Sequence, residues 1–426
     1  PPPAPAGNLA VAPASAEGPE KTPPSETVPM PRLIPPGGPA PLVVPPHEVP
    51  ALHVQGPTTI SYIQGEADYN LWFFPDRRAR NALAASSLSN LSSVQESGIG
   101  DLPFSRRELS GAAFGLSAWE AELNPWVPGG IIPVMGFEAK LFFTQQRSLS
   151  TVAERTPALF RPFFDLNDNI QSAVLVAAPG VAAGSLQATA KGSLWGAEAN
   201  LRRNVYFETP GTLCSVEVLG GLRYVRLDSS IDFNRNSLFS TTIPDTSDFA
   251  FLRGSRLIEQ EAFLTHNSFY GAQVGAAGHL YINGATVTGT VKVALGSTTE
   301  DINITGNQQQ VRPDGTVTNR PGALLALPSN IGRHSQSRFT FIPEAGVDVA
   351  FPVCDWLTLS LGFKALHWNR LVLAGDQIDR AIDITQIPNF PVPPGTVATG
   401  LNRPAVFFNQ TDLWLLATNV GVELRW

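Results

Sequence analysis

Six histidines and two cysteines are the side chains most able to bind a metal or form a nucleophile–base pair, and their spacing suits neither task. His47, His53, His266, His279, His334 and His367 show no metal-ligand spacing with one another or with Cys214 and Cys354, whereas structural zinc needs tight clusters. There is no G-x-S-x-G elbow and no phosphate-binding glycine loop. The sequence therefore predicts no catalytic residues, no metal, no cofactor and no enzyme. Two cysteines cannot make a disulfide scaffold. Cys214 and Cys354 fall on strands that are not consecutive, so free thiols are expected rather than a bridge, which needs Cα atoms within ~4.4–6.8 Å.

The remaining polar chemistry lies in charged residues that alternate with apolar ones. In Glu66–Phe74 one face carries Ala67, Tyr69, Leu71 and Phe73 and the other Glu66, Asp68, Asn70 and Trp72. Met135–Thr144, Ser193–Arg202, Val287–Leu295, Leu357–Ala365 and Trp414–Trp426 repeat this period of two, the signature of strands with one apolar and one polar face. The polar faces hold the acids Glu66, Asp68, Glu138, Glu198, Glu217, Glu344, Asp348 and Glu423. Their bases are Lys140, Arg202, Arg223, Lys292, Lys364 and Arg425. Such a near-balanced set can pair into a network or set the selectivity of a conduit.

Composition says what these strands face. Only 15% of the 426 residues are charged, where soluble domains carry about 25%. A net charge of −7 gives no basic footprint for nucleic acid. No segment offers the roughly 20 apolar residues of a membrane-spanning helix. Ten alternating segments are read at about 66–74, 110–122, 133–145, 184–201, 213–228, 258–280, 284–306, 337–352, 356–371 and 411–426. Short connections (123–132, 202–212, 281–283, 353–355) alternate with long ones (75–109, 146–183, 229–257, 307–336, 372–410). Short turns at one end and long loops at the other are the pattern of a transmembrane barrel. Apolar faces then meet lipid, and the sheet must close because an open edge leaves unpaired backbone groups in hydrocarbon. The predicted fold is an all-β, antiparallel transmembrane barrel of about ten strands. A hairpin hidden within 146–183 would raise the count to twelve. Aromatics near strand ends (Trp72–Phe74, Trp119, Trp126, Trp356, Trp368, Trp414, Trp426) are expected to form two interfacial girdles.

Residues 1–57 hold 18 of the 38 prolines and no aromatic residue, a composition that stays extended with polyproline II character. At about 3.1 Å per residue it would reach roughly 170 Å. The expected division is a Pro-rich extended periplasmic tail over 1–60 and a barrel with long extracellular loops over 61–426. The tail is a candidate anchor for a periplasmic or cell-wall partner, and homo-oligomerisation is a further expectation. With no initial Met and no basic-then-apolar leader, the chain reads as an exported product whose signal peptide has been cleaved.

Several motifs extend the reading. Arg161-Pro-Phe-Phe-Asp165, the run Leu194–Asn204, Gly221–Asp228, Phe269–Gly275, Val291–Gly296, Leu325–Gly332 and Ala374–Asp379 occur in order. Through them the chain, over roughly residues 60 to 426, resembles a β-barrel porin family of outer-membrane proteins abundant in planctomycete genomes. The resemblance implies location in the bacterial outer membrane and a barrel architecture, and brings no catalytic residues. Trp426 resembles the C-terminal aromatic signal of bacterial outer-membrane barrels. The expected function is a narrow pore for ions or small solutes, with Glu138, Lys140, Glu198, Arg223, Lys292, Glu344, Asp348 and Lys364 lining the lumen. The alternative is a structural barrel with a closed lumen whose tail tethers a partner.

Overall fold

The computed structural model describes residues 59–74, 109–123, 131–154, 158–208, 214–242, 253–388, 390, 392 and 395–426. The Pro-rich tail, Trp126 and the connections 75–108, 124–130 and 209–213 lie outside the described residues.

Strong alternation yields long strands. In chain order they are β1 (Thr59–Phe73), β2 (Leu109–Leu123), β3 (Ile131–Thr144), β4 (Arg147–Glu154), β5 (Leu159–Asp165), β6 (Ile170–Ala177), β7 (Ala182–Glu208) and β8 (Cys214–Phe239). There follow β9 (Arg256–Ile282), β10 (Ala285–Val311), β11 (Val317–Pro321), β12 (Gly332–Cys354), β13 (Leu357–Val372), β14 (Ala381–Ile382) and β15 (Gln410–Arg425). Ten of them form a closed antiparallel ring in the order β1, β2, β3, β7, β8, β9, β10, β12, β13, β15 and back to β1. The seam runs from Gln64 opposite Arg425 to Phe73 opposite Leu416. It is completed by Ile63 and Trp426, whose amides donate to each other's carbonyls at 3.0 Å. The exposed Trp426 ring lies over Gly65 on the outer face.

The turn between β9 and β10 shows how local sequence fixes register. Asn283 and Gly284 have φ of 48° and 83°. Two consecutive positive φ values define the tight hairpin turn whose twist matches that of its strands, and Asn-Gly is its preferred sequence. At the same end, β12 and β13 are joined by Asp355 and Trp356 alone.

The ring count settles at ten. β4 adds to the wall above β3, pairing β7 from Gly192 to Ser185 where β3 covers Arg203 to Trp195. The 146–183 segment does contain a hairpin, β5–β6, but it joins β14 in a separate three-stranded sheet. The twelve-stranded alternative is thereby corrected. The hairpin is too rich in side chains that need burial (Leu159, Phe160 and Phe163 are buried) to stand in a wall.

Several strands run further than expected, and the cause is an exchange of faces. On β8 the outward residues Val216, Val218, Leu222 and Tyr224 are apolar, and the inward ones include Glu217 and Arg223. From Arg226 onward the outward side is Arg226, Asp228, Ser230, Asp232 and Asn234. The inward side becomes Val225, Leu227, Ile231 and Phe233, all buried. β10 repeats this: Val287, Val291 and Leu295 face out, then Ser297, Thr299, Asp301 and Asn303 on the same side, with Ile302 and Ile304 buried within. The apolar stretch matches the roughly 9–11 residues that cross a bilayer. Beyond it the same wall has a wet exterior and a dry interior. β8 was expected to end at 228 and continues to Phe239 because alternation persists with its meaning reversed. The loop expected over 229–257 shrinks accordingly, while β7 passes 201 to Glu208 at the opposite, short-turn end, where it pairs with the start of β8.

The dry interior has two layers. In the first, every wall strand contributes a side chain to one apolar cluster. These are Trp72, Leu109, Phe142, Leu194, Val225 and Leu227, Phe269, Ala294, Ile342, Trp368 and Leu415, taken around the ring. Phe269 and Trp368 meet edge to face with centroids 6.4 Å apart, and Trp368 Nε1 donates to Thr298 at 3.1 Å. In the second layer, Ala188, Ala190, Ile231, Phe233, Phe263, Ile302 and Ile304 of the wall pack on Phe163, Leu324–Leu327, Ile378, Ile382 and Ile384. Described residues of the 146–183, 307–336 and 372–410 connections thus fold into the outer mouth as a plug. The girdle expectation is corrected for Trp72, Phe74, Trp119 and Trp368, which are buried inside; Trp356, Trp414 and Trp426 are exposed on the outside. An outer aromatic band does exist, built from Trp195, Tyr224 and Tyr270 in consecutive contact at 4.7 Å, and from Trp414 against His367 at 4.7 Å.

The face exchange predicts opposite tolerances along the outer wall. Val420→Arg, on the lipid side, is expected to cost about 2–4 kcal/mol. Asn303→Arg, beyond the apolar band, should stay within about 0.5 kcal/mol. Equilibrium unfolding in lipid vesicles measures both, and equal costs would contradict the assigned boundary.

Candidate functional site

Below the apolar layer, inward residues of the membrane-spanning part build a charged belt. Lys140 on β3 lies 2.8 Å from Glu66 on β1 and 3.6 Å from Glu138. Arg202 on β7 joins Glu138 at 2.8 Å to Glu217 on β8 at 2.7 Å, and His279 on β9 approaches Glu217 at 3.2 Å. Lys292 on β10 bridges Glu198 at 3.0 Å and Glu344 on β12 at 3.1 Å. Arg223 reaches Glu344 at 2.6 Å. Gln273 donates to Glu198 at 3.0 Å. These contacts reach across the lumen: β7 and β10 are separated by β8 and β9, yet Glu198 and Lys292 touch. Carboxylates and cations removed from water cost several kcal/mol each unless paired, so the belt is a mutually dependent set.

Of the eight residues predicted to line the lumen, Glu138, Lys140, Glu198, Arg223, Lys292 and Glu344 stand in this network. Asp348 accepts from Asn419 at 3.3 Å. Lys364 lines the same space and makes no ion pair with a described residue. Two spaces meet at the belt. An upper cavity of about 110 Å³ lies between it and the apolar layer. A lower vestibule of about 280 Å³ reaches Tyr281, Pro352 and Thr358 beside the short turns. His279 also lines the lumen, and its parity with Gln273 on β9 was the available signal. His266 and His367 lie on the outward side, beside Asp228 and Trp414. Cys214 and Cys354 are both free.

A second charged cluster pins the plug. Arg161 on β5 is buried and donates to Glu261 at 2.6 Å, with Glu259 at 3.8 Å and the Phe233 ring 5.2 Å from its guanidinium carbon. The other Glu261 oxygen accepts from the amides of Leu324 and Leu325 at 2.5 and 2.6 Å. Arg235 and Gln308 hold Glu259 at 3.0 and 2.8 Å. One carboxylate therefore fastens two separate loops to β9. Arg161, Arg235, Glu259 and Glu261 were absent from the predicted site. The clue was that the Arg161–Asp165, Leu325–Gly332 and Ala374–Asp379 motifs all lie in long connections without alternation. The 383–399 loop is clasped by Asp383, which accepts from the amides and hydroxyls of both Thr385 and Thr399. Burial opposes the charge, but these four donors hold its carboxyl at about 2.

The closed ring, the apolar outer band and the charged interior define a transmembrane β-barrel with a plugged outer mouth. Residues 131–426 match the family model described as "Putative beta barrel porin-7 (BBP7)", which spans more than half of the chain. The chain belongs to this β-barrel porin family, and it is a barrel of the bacterial outer membrane. No curated protein matches it. Among solved structures it is similar to the outer-membrane protein OmpT of Vibrio cholerae, at 8% identity over 88% of this chain and 99% of that one, with a TM-score of 0.15. It is also similar to a TodX deletion mutant, a monoaromatic hydrocarbon channel, at 12% identity over 86% and 90%, with a TM-score of 0.20. At such scores neither likeness bears on the fold.

Glu344→Gln would leave Arg223 and Lys292 against a neutral amide, and breaking a buried pair in this way costs about 3–5 kcal/mol. Urea unfolding is expected to show that loss; a change below about 0.5 kcal/mol would mean the belt is not interdependent. Asp383 gives a pH signature. Its depressed folded value means its stabilisation is full above the ordinary carboxylate range and is lost as pH falls through about 2. Proteolysis of the 383–399 loop by pepsin should therefore rise between about pH 4 and 2, and Asp383→Asn should remove that pH dependence.

Proposed function

We propose that this barrel is closed across its lumen and serves as a structural component of the outer membrane, without catalytic activity. The observation that carries the reading is the apolar layer to which all ten wall strands contribute. A layer of Trp, Phe, Leu and Ile offers an ion no partner to replace its hydration shell. Ten strands also lie near the size at which side chains fill a barrel. On this reading the family label describes ancestry and architecture, and the belt stiffens the wall. The further elements of the proposal are export with a cleaved signal, a planctomycete origin, and a 1–57 tail that tethers a periplasmic or cell-wall partner. A second reading, a narrow pore for ions or small solutes, draws on the two polar spaces meeting at the belt. It requires the apolar layer to part, with Glu138, Lys140, Glu198, Arg223, Lys292, Glu344, Asp348 and Lys364 setting selectivity.

Planar-bilayer recordings of the full chain separate the readings. The closed-barrel reading expects no steady current from inserted protein, with insertion verified by heat-modifiable gel migration. A reproducible unitary conductance from the wild-type chain would replace it with the pore.

A further inference from the structure

Beyond the hydrocarbon band, strand register sets the outward side chains of β7, β8, β9 and β10 in rows. Ala199, Leu222, Ala272 and Leu295 make a wholly apolar row. The next row places Tyr224 beside Tyr270, between Ala197 and Ser297. Above it come Trp195, Arg226, Ser268 and Thr299, and then Ser193, Asp228, His266 and Asp301. Hydrocarbon contact therefore gives way to charge within two rows, at the level of the Trp195–Tyr224–Tyr270 band.

Arg226 is held in place at this level. Its Nε donates to Asp228 Oδ1 at 2.9 Å. Its Nη2 lies 3.0 Å from His266 Nδ1, which is 2.5 Å from the same Asp228 oxygen. The group can be reached from outside, since the Arg226 and Asp228 side chains are 33% and 27% exposed. A guanidinium carries five N–H donors, which contacts with Asp228 and His266 cannot exhaust. The acids here already face cations: Asp228 has Arg226, Asp232 has Lys191 at 3.5 Å, and Asp301 has Arg333 at 3.1 Å. No unpaired carboxylate among them opposes an incoming phosphate.

Further out the wall changes chemistry again. Thr189, Asp232, Ala262 and Thr305 share one row, and Gln187, Asn234, Gln260 and Asn307 the next. An open hollow of about 470 Å³ lies here, lined by Thr189, Lys191, Asp232, Asn234, Gln260 and Asn307, with the short Ala262 among them. Hydroxyls and amides both donate and accept, as sugar hydroxyls do. Asp232 stands three rows beyond Arg226, roughly 20 Å along the strand at about 3.3 Å per residue. That span decides the partner. A phospholipid headgroup is too short to meet both Arg226 and the hollow. A lipid whose phosphate is followed by a chain of sugars meets them in order.

We propose that the outer wall of β7–β10 is a docking surface for a phosphorylated glycolipid of the outer leaflet. Its acyl chains lie on the Leu222 row, its phosphate accepts from Arg226, and its sugars fill the Asp232 hollow. The surface rests on the outer-membrane location and is independent of whether the lumen conducts.

Native mass spectrometry of the full-length detergent-solubilised barrel tests this with three probes: lipopolysaccharide bearing core sugars, lipid A without them, and phosphatidylglycerol. The variants are Arg226→Gln, Ala262→Phe to fill the hollow, and Arg203→Gln, which removes an exposed cation near the short turns. Heat-modifiable migration confirms that each is folded. The expected result is a saturable adduct with lipopolysaccharide, tighter than with phosphatidylglycerol. Arg226→Gln weakens lipopolysaccharide and lipid A tenfold or more, Ala262→Phe weakens lipopolysaccharide alone, and Arg203→Gln changes neither. Absence of a lipopolysaccharide adduct would overturn the proposal. So would phosphatidylglycerol binding of equal strength, or wild-type lipopolysaccharide binding in either Arg226→Gln or Ala262→Phe.

Discussion

The structure depends on a single solvent boundary that the wall crosses partway along its strands. A backbone in hydrocarbon must satisfy its N–H and C=O groups internally, which the closed ring achieves through the Ile63–Trp426 seam. Side chains obey a second requirement, which changes sign at the boundary. Up to Tyr224 on β8 and Leu295 on β10 the outside must be apolar and the inside can hold charge. Past them the outside must be polar, and the inside has room for a core. β7, β8, β9 and β10, at 26 or 27 residues each, are long enough to obey both regimes in turn.

This division explains why the barrel has two kinds of filling. Within the bilayer the interior cannot exchange its charges for lipid contacts, so Glu138, Glu198, Glu217 and Glu344 pair with Lys140, Arg202, Arg223 and Lys292 across the lumen. Above it the chain assembles a core from wall and loop residues as a water-soluble domain would, with described residues of the 146–183, 307–336 and 372–410 connections as the second layer. The buried Arg161–Glu261 contact at 2.6 Å joins the two parts, since Glu261 belongs to a wall strand and Arg161 to the plug. Breaking such a pair costs more than forming it gains, which suits a fastening.

The wall was legible in the sequence because period two survives wherever one face is wet and the other dry. That is why strand number, order of short and long connections, and inward parity of Glu138, Lys140, Glu198 and Lys292 could be read. The reversal at Arg226 was not legible as continuation, since a reader tracking an apolar outer face sees that face end there. The plug was legible only as conspicuous motifs in the wrong place for strands: Arg161–Asp165 and Ala374–Asp379 have no alternation because they are surrounded on all sides. Tryptophan direction was partly visible. Trp72 shares parity with Glu66 and Asp68, which already placed it inside despite its position near a strand end.

Spin labels placed singly at the outward positions of β10, from Val287 to Gln309, in a chain with Cys214 and Cys354 replaced, test the boundary most directly. The account predicts that collision with oxygen dominates at Val287, Val291 and Leu295, and that collision with a water-soluble nickel chelate dominates at Thr299, Asp301, Asn303 and Gln309. Uniform oxygen preference along the strand, or uniform nickel preference, would contradict it.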